Sequence, residues 1–353
     1  MNDLRAKLSL AKPEFRVVVM PDFYLDYVLA YPGKLKEMTA TFLDVASRGG
    51  GNLVGWRHVA GRGGNASNLA AQLSMLGCKP TPIIETDEFG KAILNHFLPD
   101  VDLSHVKTTG KMSRTMSFET EHEGRRVNIM ISDPGSHANF GPEKLTNQDK
   151  EMIRSADFVS VVNWAQNLKG TELAETVFSI AKKEGKGVTF FDPGDPTMRA
   201  GEIEGLNQRV LTAGLVDVLS VNENELTQLA SHIMDEEATE IEGDENPLFR
   251  SAAVFSMLGV RVDLHTPEFS ATFIDGQRER VPCFRIDPVK VTGAGDVWNA
   301  ADIFAEGIGL AHKERLLFAN ATSAAYLKKS GLDPASMEEI FVEIERANKT
   351  SGN

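Results

Sequence analysis

At 353 residues, with 42% hydrophobic and 25% charged residues, the chain has an ordinary globular composition and enough apolar material for one large α/β domain. Its formal charge of −13 argues against a nucleic-acid surface, which needs a basic patch, and no window approaches the 18 apolar residues of a membrane span. Two cysteines, Cys78 and Cys283, are too few for a disulfide framework or a zinc cluster; as buried free thiols they suit a reducing, cytoplasmic setting.

The N-terminal "MNDLRAKLSLAKPEF" mixes charges and lacks the apolar core of a secretory signal. "FRVVVM" (15–20) then reads as a buried strand, and residues 65–76 as a helix carrying Leu69, Ala70, Leu73 and Leu76 inward. Further on come strand-like "DFVSVV" (157–162), a helix near 171–184, strands "GVTFFD" (187–192) and "VDVLSV" (216–221), and a helix from Glu223. "LLFANATSAAYLKK" and "MEEIFVEIERANK" close the chain as helices. Strands separated by helices of this length predict βαβ units and a mostly parallel sheet. Two regions break the rhythm: "TMSFETEHEGRRVNIMI" (115–131) alternates like an antiparallel hairpin turning at "EHEG", and residues 23–59 are irregular, with glycines at 49, 50, 51 and 55. Both fit a small β appendage over the sheet edge. The charge run "MDEEATEIEGDE" (234–245) reads as a solvated loop.

Ligands of an open parallel sheet bind beyond the carboxyl ends of its strands, so chemistry is expected at strand-to-helix turns. "GRGGNASNLAAQLSMLG" (61–77) places Gly63 and Gly64 before a helix, where they permit close approach, and Asn65 and Asn68 offer amides to hydroxyls; Asn65 as a plain N-cap is the alternative. "SVNENELTQL" (220–229) puts Asn222 and Glu225 on one side of a first helical turn, suited to hydrated Mg²⁺ and phosphate oxygens, or equally to a capping box. In "VKVTGAGDVWNAADIFAEGIG" (289–309), Gly293, Ala294, Gly295 and Asp296 precede apolar positions Val297, Ala300, Ala301, Phe304, Ala305 and Ile308 at helical spacing. Unpaired N–H groups among such small residues make an anion site; Asp296 as a helix cap is the competing reading.

Taken in this order, the three turns resemble the PfkB (ribokinase-like) family of carbohydrate and nucleoside kinases. The resemblance runs from about Phe15 to the last helices and is most specific in "TGAGDVWNAADIFAEG" and "GGNASNLAAQLSMLG", with "TDEFG" (86–90) in support. It implies one ribokinase-like domain over 1–353: a three-layer α/β/α core with a mostly parallel central sheet, and a small β lid from about 23–60 and 105–131. It implies transfer of a nucleotide's terminal phosphoryl, from ATP or ADP with Mg²⁺, to a hydroxyl of a sugar, sugar phosphate or nucleoside. Asp296 becomes the general base, and the N–H groups of Gly293, Ala294 and Gly295 hold the migrating charge. Asp26, Gly63, Gly64, Asn65 and Asn68 fall on the substrate. Asn222, Glu225, Thr266, Thr292 and Asn320 fall on the nucleotide side, Glu225 organising the metal through water. A lid edge that pairs with a second copy would make a homodimer. A catalytically silent sugar- or nucleotide-binding regulator on the same fold is the alternative function.

Two departures from the family pattern bear on the donor and on ions. Where members have glycines near the nucleotide phosphates, "LHTPEFSATF" (264–273) has Pro267 and no glycine. His265-Thr266 there resembles the HT of ADP-dependent sugar kinases, or is an altered turn. Lys290 stands where many members hold a monovalent cation with an aspartate, and is either a built-in cation or an idle surface lysine.

Overall fold

The computed structural model describes residues 2–233 and 246–350; the charge run at 234–245 lies outside the described residues. Its strands, in chain order, are β1 (Arg16–Met20), β2 (Tyr24–Lys34), β3 (Arg57–Gly63), β4 (Lys79–Pro82), β5 (Ile84–Glu85), β6 (Val106–Lys107), β7 (Ser113–His122), β8 (Arg125–Asp133), β9 (Phe158–Val162), β10 (Val188–Asp192), β11 (Val218–Val221), β12 (Arg261–His265), β13 (Phe269–Ile274) and β14 (Gln277–Pro282). An eight-stranded sheet has the order β14-β13-β12-β11-β10-β9-β1-β4. It is parallel from β4 to β12, with β13 and β14 added antiparallel at one edge.

The period-2 pattern of the strands builds the three layers. Val17 and Val19 of β1 point into one apolar cluster, with the helices Asn65–Met75, Ala294–Gly307 and His312–Leu327. Val18 and Met20 point into a second, with the helices Gly170–Glu184 and Pro247–Met257. Both faces of the sheet are therefore covered, which is why its strands read as near-continuous apolar runs. Leu69, Ala70, Leu73 and Leu76 are all buried, as the helical spacing predicts.

The irregular regions join into a four-stranded sheet of order β3-β2-β7-β8. The β7–β8 hairpin turns at Glu123 and Gly124, both with positive φ. Within 23–59, where the sequence shows only irregularity, the chain forms the long strand β2 and a helix, Leu35–Ser47. That helix buries only Met38 fully and lays Phe42 against Phe118 of the small sheet, so its apolar stripe is thin.

Strand β1 lies between β4 and β9, so the connections leave it in opposite directions. The carboxyl ends of β1, β9, β10 and β11 consequently open onto one crevice, at the switch point where open α/β sheets bind ligands.

Candidate active site

Asp22, just beyond β1, is fully buried and ties three strand ends together. Its carboxylate accepts from the backbone N–H groups of Asn65 (3.0 Å) and Ala66 (2.7 Å) and from Nδ2 of Asn163 (2.8 Å). The helix Asn65–Met75 is therefore capped from a distance: Gly64 is its N-cap residue and Asn65 its first turn, which replaces the reading of Asn65 as cap. Gly64 has φ of 91°, and a side-chain carbon there would stand 2.9 Å from Phe23 Cα and Tyr24 N, so only glycine fits. At Gly63 the same carbon would meet the Asp26 carboxylate at 2.0 Å; the bare backbone is the surface on which that carboxylate rests. Asp26 is buried with no partner for Oδ1, and burial pushes its carboxyl up to about 7 against the lowering bond from Thr115.

Asp296 stands in the first turn of the helix Ala294–Gly307. No side chain caps this helix, which removes the reading of Asp296 as a cap. Instead its Oδ2 accepts from Asn68 Nδ2 at 2.9 Å, and the residue is 8% exposed. Burial pushes its carboxyl up to about 8, opposed by the Asn68 bond and Arg62 and reinforced by Asp192 and Asp22. Gly293 precedes this turn with φ of 78°, and a side chain there would strike the Tyr326 hydroxyl at 2.8 Å. The result is a helix N-terminus lined by small residues, its positive end beside a carboxyl held in protonation balance near neutrality. Such an arrangement can take a proton from a hydroxyl while stabilising an incoming anion.

On the nucleotide side, Asn222 and Glu225 form the full capping box: Glu225 N–H donates to Asn222 Oδ1 (3.0 Å) and Asn222 N–H to Glu225 Oε2 (2.8 Å). Glu225 is also buried, and its carboxyl is raised well above its ordinary value by burial and by Asp192. Asp192, at the end of β10, accepts from Gly194 N–H (2.9 Å) and Asn299 Nδ2 (2.6 Å), and burial pushes it up to about 6.

A pfkB family carbohydrate kinase profile matches residues 56–339. The chain belongs to that family. The ribokinase of Haemophilus influenzae is 25% identical over 306 residues, covering 84% of this chain and 92% of that protein. Among solved structures, Arabidopsis thaliana ribokinase complexed with ribose and ATP is similar with a TM-score of 0.72 and 20% identity, over 95% of this chain and 99% of the other. The adenosine kinase of Sinorhizobium meliloti is similar with a TM-score of 0.69 and 17% identity, over 95% and 99%. The three-layer ribokinase-like fold and membership among carbohydrate kinases are thereby established.

Not every family position stands open to a ligand in this chain. The Thr266 hydroxyl closes its own turn, donating to the Phe269 carbonyl (2.8 Å) and accepting from the N–H groups of Glu268 and Phe269. Asn320 accepts from Trp298 Nε1 (2.9 Å) and donates to the Pro282 carbonyl (3.3 Å), so its amide braces the neighbourhood. Thr292 accepts from Asn128 Nδ2 of β8, which ties the small sheet to the anion turn. His265 lies against that turn: its Cε1 is 3.4 Å from where a Gly295 side chain would begin, and its ring packs on Trp298 at 5.1 Å. Burial lowers it to about 4, so it is neutral at physiological pH. Lys290 is 5% exposed, which rules out an idle surface lysine; its ammonium donates to the Gly331 carbonyl and lies 3.5 Å from the centre of the Tyr326 ring.

Sequence reading passed over Asp22, Asn163, Asp192, Asn299 and Arg62. An aspartate closing an apolar strand, as in "VVVMPD" and "TFFDP", is the signal that marks two of them.

Proposed function

We propose that this kinase moves the terminal phosphoryl of ATP to a hydroxyl of a small sugar or nucleoside, with Asp296 as the general base. The observation that carries the reading is the pairing of an uncapped, glycine-lined helix N-terminus with a buried carboxyl anchored through one oxygen by Asn68. Asp26, above Gly63, is a buried acceptor suited to the substrate's other hydroxyls, and Gly64 and Asn65 follow Gly63 in the chain. The acceptor proton passes to Asp296 as its oxygen bonds to phosphorus and the bond to the nucleoside diphosphate breaks, under the N–H groups of the Gly293–Gly295 turn.

Magnesium suits the acidic side of the crevice. Asp192 disfavours the ionisation of Glu225 there, and Asp22 that of Asp192, a repulsion that a bound cation would relieve. Among the described residues no three His, Cys, Asp or Glu side chains converge on one point to hold a metal ion, which fits a metal reached through water from Glu225. Its contribution when bound is to neutralise the polyphosphate.

The donor loop differs from the glycine-rich pattern, since Pro267 has no N–H and the Thr266 hydroxyl is occupied. We expect loose donor choice, with ADP or other triphosphates used alongside ATP. Initial rates with ATP, GTP, CTP and ADP against a panel of sugars, sugar phosphates and nucleosides test both donor and acceptor. No turnover with any pair would favour the silent binding protein, and strict use of ATP would sink the permissive donor.

Lys290 supplies a fixed positive charge beside the anion turn. Activity at pH 7 is expected to be nearly equal in sodium, potassium and tetramethylammonium salts at one ionic strength. Because burial lowers this ammonium to about 8, the measurement belongs below that pH, where it is charged. Potassium-specific activation would overturn the role.

The outer face of the small sheet pairs Tyr27 with Met116 and Met116 with Ile131, all exposed. An apolar row beside the edge strand β8 suits a homodimer through this sheet. A solution mass of two chains that falls to one in Ile131→Glu is expected; a monomer at all concentrations would end the idea.

A further inference from the structure

Arg62 touches none of the groups that the proposed reaction moves, yet it is a buried charge, 4% exposed, at the end of β3. Its Nε donates to Asn68 Oδ1 at 3.2 Å, and a terminal nitrogen donates to the Leu332 carbonyl at 3.2 Å. Asn68, gripped at its oxygen, turns Nδ2 to Oδ2 of Asp296 at 2.9 Å. The three side chains thus form one directed series of donors, Arg62 to Asn68 to Asp296.

An asparagine amide has a donor end and an acceptor end, and a half-turn exchanges them. Turned over, Asn68 would set its oxygen against the carboxylate and repel it. A second asparagine in "GGNASN" cannot prevent that half-turn; a donor fixed at the oxygen end can. Asp296 also has carboxyl groups around it: Asp22 beyond β1, Asp192 at the end of β10 and Glu225 in the helix Glu223–Ala230. Asn68 is the hydrogen-bond donor that fixes its direction among them.

We propose that Arg62 is a positioning residue for phosphoryl transfer: by holding Asn68 Oδ1 it keeps the amide donating to Asp296 Oδ2 and leaves Oδ1 for the acceptor hydroxyl. The inference rests on Asp296 acting as the base. It also assigns Asn68 a duty toward the base in addition to any toward substrate.

Three variants separate this hydrogen bond from charge and from packing. In Arg62→Gln, Nε2 stands at the same bond count from the backbone as arginine Nε and keeps the donor to Asn68 while removing the charge. Arg62→Met puts a methyl at that atom, and Arg62→Lys keeps the charge with a methylene there. Steady-state kcat and acceptor KM are measured for each, with thermal unfolding as a check of the fold. Arg62→Met is expected to lose roughly tenfold or more in kcat, the scale of a misplaced catalytic group, with acceptor KM changed less than kcat. Arg62→Gln should recover most of the loss, and should exceed Arg62→Lys. If Met does not fold, the Gln and Lys comparison carries the same test. Equal losses in Gln and Met, or Lys above Gln, would overturn the hydrogen-bond role. Either result with Asp296→Asn inactive removes this inference alone; an active Asp296→Asn removes the base beneath it.

Discussion

Asp296→Asn is expected to lose about 10²–10⁴-fold in turnover, the usual contribution of a general base, and to become more stable while doing so. Both effects have one cause. Burial lifts the Asp296 carboxyl to about 8 from its ordinary 3.8, so the folded protein binds this proton more tightly than the unfolded chain. Stability contributed by such a group is fully present below the unfolded value and is lost as pH rises through about 8. A tenfold difference in proton affinity between the folded and unfolded chain is worth about 1.4 kcal/mol, so at pH 8 the wild type carries a cost that a neutral amide escapes. Asparagine still offers an oxygen to Asn68 Nδ2, so the anchoring bond survives. The base works only when ionised, so wild-type kcat/KM is expected to rise from pH 6 to above pH 8. Turnover and urea unfolding of the two proteins at pH 6 and 8 check the whole argument. A variant as active as wild type would remove the base, and a variant less stable at pH 8 would mean that the carboxyl is ionised without strain.

Local patterns made the turn before Asp296 legible. Gly293 needs a positive φ and Gly64 a conformation closed to other residues, so both had to be glycine, and glycine before an apolar helical period can be seen in one sequence. The parallel strands were legible for a similar reason, since burial on both faces leaves continuous apolar runs. Asp22 and Asp192 carry a local signal in closing apolar strands, but their partners Asn163 and Asn299 were not legible, because crossovers bring them from distant strands and helices and no local spacing links them. Arg62 stands inside "GRGGNASN", yet an arginine in a strand reads as surface until its partner Asn68 is seen across the turn. The helix Leu35–Ser47 escaped because its apolar stripe packs on a thin sheet and remains largely exposed. At Thr266 the residue type and place suit a phosphate, while the bonds of its hydroxyl within the turn beside Pro267 are not announced by any local pattern.

Beneath the anion turn lies a charged assembly whose loss should be the largest stability defect in the molecule. Arg315, 1% exposed, donates to Asp263 through both terminal nitrogens (3.0 and 2.9 Å), to Thr272 Oγ1 (3.0 Å) and to Asp302. Asp302 lies further along the helix that opens with the anion turn, and Asp263 lies on β12 just before His265. Burial disfavours charge on both carboxyls, but they resolve it differently. Arg261 and Arg315 hold Asp263 well below the ordinary range, whereas Asp302 is pushed up to about 8, with Asp263 adding to the effect. Glu306, on the same helix as Asp302, also binds Arg261, so the assembly sets two guanidinium groups against Asp263, Asp302 and Glu306, with ionisation of Asp302 disfavoured. Arg315→Met strands a buried carboxylate with Arg261 and the Thr272 hydroxyl as its remaining partners, and is expected to cost about 3–5 kcal/mol, the penalty for breaking a buried pair from one side. Asp302→Asn replaces a protonated carboxyl by an amide of the same shape, and should cost less than about 1 kcal/mol at pH 7. Urea unfolding of the two variants at pH 7 gives the comparison. Equal costs would mean that Asp302 is ionised in the fold, and that its pairing with Arg315 helps to hold the helix carrying Asp296.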